Sequence, residues 1–154
     1  MIKAAIAECE DMLRLNKNDN LGVRYTLMFL YAFMEDEEKA LKLYKKSNEK
    51  NVQMLLSLSI LYFRKRNLEE TLKYLKKIEN IVKDTRKFFK DVLDGKMEKY
   101  SAQIYDMGYR LFTSDELAIS FIENHFIFDI DNGYIEWAYN RLKKKLKMVK
   151  RKKK

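Results

Sequence analysis

The residues of this 154-residue chain that could do chemistry are few and scattered. The sole histidine, His125, stands in "ENHFIF" with no second histidine and no cysteine nearby, so neither a metal pair nor a base with its nucleophile is legible there. The sole cysteine, Cys9, stands on a helix-patterned stretch and reads as a small buried hydrophobe; one cysteine forms no internal disulfide, which fits a reducing interior. "DIDNGYIE" has the residue types of a calcium loop, but Gly133 comes four residues after Asp129 where that loop needs five, so it reads as a turn and helix cap. "EDEE" (35–38) reads as a helix start rather than a metal cluster. There is no glycine-rich phosphate loop and no Ser-His-Asp or Cys-His arrangement. The expectation is a non-enzymatic protein with no cofactor and no metal.

Charge offers a second kind of chemistry. The formal net charge is +9, and the last twelve residues, "KKKLKMVKRKKK", hold Lys143, Lys144, Lys145, Lys147, Lys150, Arg151, Lys152, Lys153 and Lys154 with no acid. These nine account for the whole excess, so residues 1–142 are balanced. Such a tail can bind nucleic acid, ribosome or an acidic surface by releasing counterions, and such binding weakens steeply with salt. No aromatic interleaves the lysines to stack on bases. The competing reading is a solvated end that aids solubility.

These residues must be positioned by helices. Proline is absent and glycine occurs only at Gly22, Gly95, Gly108 and Gly133, which favours helix over sheet and its tight turns. The chain is 47% hydrophobic and 36% charged, enough for one domain with a core. No stretch approaches the roughly 18 apolar residues of a membrane span. The N-terminus has no secretion-signal pattern, and the expected location is cytoplasmic. Ile6, Cys9 and Leu13, with Met12 on the flank, recur at helical spacing. Residues 21–34 are apolar on most sides, as in a helix held between neighbours, with Asn18, Asp19 or Asn20 as cap. The spacing predicts further helices over about 36–47 (capped by Asp36, with a Glu38–Lys42 pair), 52–66, 67–82 (capped by Asn67) and 84–94. Residues 96–112 are less periodic and read as a connecting segment with a helical turn. "TSDE" (113–116) has capping-box form ahead of the apolar run 117–128, and a last helix starts near 134.

The segment "DEEKALKLYKKS" (36–47) lies over "NLEETLKYLKKI" (67–78) at an offset of 31 residues, and the preceding apolar helices superpose at the same offset. Recurring helix pairs at this period mark an α-solenoid. The residues resemble tetratricopeptide repeats, in which small or aromatic residues recur where the helices of a hairpin meet. Leu27, Tyr31, Ala40, Tyr44 and Ser47 occupy those positions in one unit, and Leu58, Tyr62, Thr71, Leu75 and Ile78 in the next. Ala5, Cys9 and Met12 match a truncated earlier unit, and Lys17 falls where the family often has proline. More narrowly, "LNKNDNLGVRY" resembles the "LNPNDNQGIRY" block of small bacterial repeat proteins related to the suppressor-of-tumorigenicity family. "SDELAISFIENH" and "GYIEW" resemble that group's later "SEEEAI" and "GALEW" blocks.

The resemblance implies an all-α, TPR-like superhelix, a right-handed solenoid of antiparallel helix hairpins. It spans one domain over 1–142: a partial repeat at 1–17, repeats at about 21–51 and 52–82, C-terminal helices at 84–142, and the basic tail 143–154. It implies a scaffold that binds a partner peptide or helix, the partner's identity and any self-association being open. The family's groove positions map to Tyr25, Phe29, Phe33, Leu56, Ile60, Phe63 and Arg64. The expectation is an open hydrophobic groove there. The alternative is that residues 115–128 fill it and make it core.

Overall fold

The computed structural model describes residues 1–19, 22–47, 50–129 and 133–142, and among them there is helix and no strand. The elements are α1 (Ile2–Leu15), α2 (Val23–Phe33), α3 (Glu37–Lys45), α4 (Val52–Arg64), α5 (Leu68–Ile81), α6 (Thr85–Leu93), α7 (Glu98–Met107), α8 (Ser114–Glu123) and the short α9 (Phe126–Asp129). A further helical run covers residues 134–142. None of the described helices is long and apolar enough to cross a membrane.

The chain reverses by the same device three times. After α2, the Asp36 N–H donates to Tyr31 O (2.9 Å) and the Glu35 N–H to Ala32 O (3.1 Å). After α4, the Asn67 N–H donates to Tyr62 O (2.9 Å) and the Arg66 N–H to Phe63 O (3.0 Å). After α6, the Lys96 N–H donates to Asp91 O (2.8 Å) and the Gly95 N–H to Val92 O (3.1 Å). This bond pair is the Schellman motif, and it requires a left-handed residue just past the helix. Gly95 supplies one at φ +72°; Glu35 (φ +56°) and Arg66 (φ +61°) adopt it without glycine, at a cost of about 1 kcal/mol each.

The next helix then starts on a capping side chain. Asp36 accepts from Lys39 N (3.1 Å) and Asn67 from Glu70 N (3.2 Å), and at α4 Asn51 accepts from Met54 N (3.1 Å). The cap of α2 lies farther back. Gly22 at its N-cap has no side chain to offer, and the buried Asp19 reaches over to accept from Val23 N (2.8 Å) and Arg24 N (3.0 Å).

Four sequence expectations are corrected. Residues 96–112 hold more than a helical turn: α7 occupies Glu98–Met107 and packs mainly on α8. Tyr100 packs on Phe88 (5.3 Å between rings), and its hydroxyl donates to Asp91 (2.7 Å). The apolar run 117–128 is not one helix. Asn124 is buried and turns its side-chain amide back onto Ser120 O (2.9 Å), which ends α8. The capping box at 113–116 is shifted. Thr113 does accept from Asp115 N (3.2 Å), but Glu116 accepts from Phe112 N (2.6 Å) rather than from Thr113 N, because Phe112 is left-handed (φ +62°). The Glu38–Lys42 ion pair also does not form among the described residues. Glu37 is the glutamate that pairs, accepting from the Tyr62 hydroxyl (2.7 Å) and Lys65 Nζ (2.9 Å) across to α4.

The core is centred on α2 and α4. Leu27 to Ala32 and Val52 to Tyr62 are buried continuously, the second run including the polar Gln53, Ser57 and Ser59. Helices α1, α3 and α4 pack on α2, and α5 and α8 pack on α4. Ser59 binds three elements together. Its hydroxyl donates to Thr71 O of α5 (3.0 Å) and accepts from Tyr134 of the 134–142 run (2.9 Å).

Candidate functional site

The residues mapped to a binding groove lie along one side of the α2–α4 layer, and that side is covered. Phe29, Leu56 and Ile60 are buried, with at most 2% of Ile60 exposed. Helix α8 packs on α4, with Ser114 through Phe121 all buried. Farther along, Phe63 meets Tyr134 and Trp137, each at 5.5 Å between rings. Arg64 lies over the Phe33 ring (5.1 Å) and donates to Phe33 O (3.2 Å). Tyr25 accepts hydrogen bonds from Asn51 (3.0 Å) and Arg24 (3.3 Å). Phe29, Leu56 and Ile60 are thus core, while Tyr25, Phe33, Phe63 and Arg64 are half-buried. Uncovered, this apolar strip would be a large exposed patch, and burying it gains about 25 cal/mol per Å². The C-terminal helices supply the cover.

An open cleft lies on the opposite flank, between α1 and α3, with α2 as its floor. Its volume is about 700 Å³. The helices α1 and α3 are joined by Lys39 and Glu10 (3.9 Å). The floor is apolar, built from Leu13, Leu27, Tyr31 and Leu43. Burial and the nearby Glu10 and Asp36 push the Tyr31 phenol up to about 12, so it stays neutral. The rim is basic: Arg14, Lys17, Arg24, Lys39, Lys42 and Lys46, against Glu10 and Asp19. Lys39 is taken up by Glu10, Arg24 by Asp19 (3.8 Å) and Arg14 by Asp11. Lys17, Lys42 and Lys46 are exposed and have no acidic partner among the described residues.

The repeat explains why this cleft is open. One unit on, the positions of Leu13, Tyr31 and Leu43 are held by Tyr44, Tyr62 and Tyr74. There the Tyr74 ring stacks on Tyr62 (5.7 Å, interplanar angle 1°) and meets Tyr44 edge-on (6.2 Å). Three rings fill the space that one ring and two leucines leave open. Sequence reading missed the cleft because Lys42 reads as the helical partner of Glu38 rather than as part of a rim. The usable signal was the offset of 31, which sets leucine against tyrosine at two positions lining the same cleft.

A smaller polar cleft of about 290 Å³ adjoins it, lined by Asp19, Arg24, Tyr25, Gln53, Tyr109 and Glu123. Its neighbours at the start of α8 show how the cover is held. Burial works against ionising Asp115, but Arg110, donating through Nε (2.9 Å) and its backbone N–H (3.1 Å), holds that carboxyl below its ordinary range. Burial pushes the adjacent Glu116 up despite the Phe112 N–H.

The other candidate residues do not converge. His125 is exposed just past the end of α8, and Cys9 is half-buried on α1 with its thiol raised by burial and by Glu8, Asp19 and Glu10. No group of three or more His, Cys, Asp or Glu among the described residues is placed to hold a metal ion. Most of "DIDNG" and all of Lys143, Lys144, Lys145, Lys147, Lys150, Arg151, Lys152, Lys153 and Lys154 lie outside the described residues. No family model, curated protein or solved structure matches the chain. The cleft thus pairs an apolar floor with a basic rim.

Proposed function

We propose that the chain is a TPR-like stack of helical hairpins that serves as a non-enzymatic scaffold and binds another protein, in the cytoplasm, through the α1–α3 cleft. The observation that carries this reading is the contrast between the covered side of α2–α4 and the open, mixed apolar and basic cleft on the other flank. The recurring hairpin turns at Glu35 and Arg66, 31 residues apart, support the repeat architecture. Replacing Leu43 with a photo-cross-linking residue in the full chain tests it in an extract of the source cells. The expected result is discrete protein adducts, absent when the same residue replaces Lys87 on α6. No protein adduct at position 43 would defeat the reading.

The alternative is a polyanion-binding accessory protein acting through residues 143–154, and the nine basic residues there favour it. Retention on heparin with and without those residues tests this alternative. Equal retention at low salt removes it.

A further inference from the structure

Lys17, Lys42 and Lys46, which have no acidic partner among the described residues, do not border bare solvent; they border a trough of aliphatic side chains. Lys17 follows the end of α1, while Lys42 and Lys46 lie one turn apart on α3 with Leu43 between them. An occupant must therefore bring carboxylates for the rim and apolar side chains for Leu13, Leu27 and Leu43. We infer that the α1–α3 cleft binds an acidic amphipathic segment of a partner protein. Its carboxylates meet Lys17, Lys42 and Lys46, and its apolar face enters the floor. Nucleic acid fits less well, because the floor offers aliphatic carbon where bases need exposed rings to stack on, and Tyr31 is 5% exposed.

The repeat provides an internal control. Lys73 and Lys77 stand on α5 at the positions of Lys42 on α3 and Lys46 at its C-cap; all four are exposed, and Lys73 is paired with Glu70 (3.6 Å). Both lie over the Tyr74 ring (5.3 Å each), on the filled side. They carry the same charge at the same spacing beside a groove that is closed.

This inference rests on the protein-binding reading above. The test uses the full chain and a fluorescein-labelled acidic amphipathic peptide of Glu, Leu and Ala, about three helical turns long. Fluorescence anisotropy is expected to show saturable binding that weakens as salt rises. Lys42→Glu/Lys46→Glu is expected to weaken it about tenfold or more, and Lys73→Glu/Lys77→Glu by no more than about twofold. A matching peptide with Gln for Glu is expected to bind about tenfold more weakly or worse. Leu13→Tyr/Leu43→Tyr, which keeps every charge and closes the trough, is expected to abolish binding while circular dichroism shows the fold intact.

Four results overturn the inference: no binding of the acidic peptide, equal loss from both lysine pairs, equal binding of the Gln peptide, or binding that survives the paired tyrosines. Tighter binding of oligouridylate, lost with Lys42→Glu/Lys46→Glu, assigns the cleft to nucleic acid instead and also overturns it. Protein adducts at position 43 alongside any of these failures would leave the broader scaffold reading standing; their absence removes both.

Discussion

On one side of α3, Tyr74 lies flat against Tyr62 and edge-on to Tyr44, and the groove toward α5 is closed. On the other side the equivalent residues are Leu43, Tyr31 and Leu13, and the groove toward α1 is open over about 700 Å³. The backbone device is the same in both repeats: a Schellman turn, a left-handed residue at Glu35 or Arg66, and a cap from Asp36 or Asn67. Side-chain volume alone separates the filled groove from the open one. Close packing makes this difference all-or-none, since a void the size of two lost rings cannot be taken up by small shifts of rigid helices.

The comparison breaks most readily at its filled end. Tyr74→Ala should cost about 3 kcal/mol in urea unfolding, while Leu43→Ala, on the half-exposed floor of the open groove, should cost about 1 kcal/mol. Equal losses would mean that the two grooves are packed alike. Next in size, Asp19→Ala should cost about 1–2 kcal/mol, because it leaves the Val23 and Arg24 amides of α2 without their acceptor. Hydrogen exchange at those two amides should rise while that at Met54, capped by Asn51, stays the same.

A smaller, pH-dependent effect lies on the covered side. Asp115 is held below its ordinary range, so the stability it contributes is present above the unfolded-state pKa of about 3.9 and is lost as pH falls through its lower folded value. Asp115→Asn should therefore lower the melting temperature at pH 7 and leave it unchanged at the acid end of that window. Glu116 has the opposite sign. Its folded pKa is raised, so the stability linked to it is fully present below about pH 4.3 and is lost as pH rises through the folded value. Glu116→Gln should raise the melting temperature at pH 7 and not below pH 4. Neither variant should change affinity for the acidic peptide, which separates the covered side from the open cleft. The smallest effect should come from Lys42→Glu/Lys46→Glu, within about 0.5 kcal/mol of the parent's stability, because exposed charges contribute little to folding.

Much of the helical layout was legible residue by residue. Asp36 and Asn67 cap the helices they were expected to cap, because a short acceptor before an amphipathic run has one local role. Leu27, Tyr31, Ala40, Thr71 and Leu75 are buried where the period placed them. The full length of α7 was missed. Residues 96–112 carry a weak period because Tyr105, Met107, Tyr109, Leu111 and Phe112 are exposed, which blurs the apolar stripe that marks a helix. Phe29, Leu56 and Ile60 are buried, and nothing local to them says what will lie across them.

The sequence alone determined local events such as the caps at Asp36 and Asn67 and the offset of 31 residues between the two segments they open. These depend on contacts within a few residues, and residue type fixes them. Tertiary structure decided which apolar face is covered and which cleft stays open. That outcome depends on volumes brought together from residues 13, 31 and 43 on one flank and from 29, 56, 63 and 134 on the other. Only the folded chain sums those volumes.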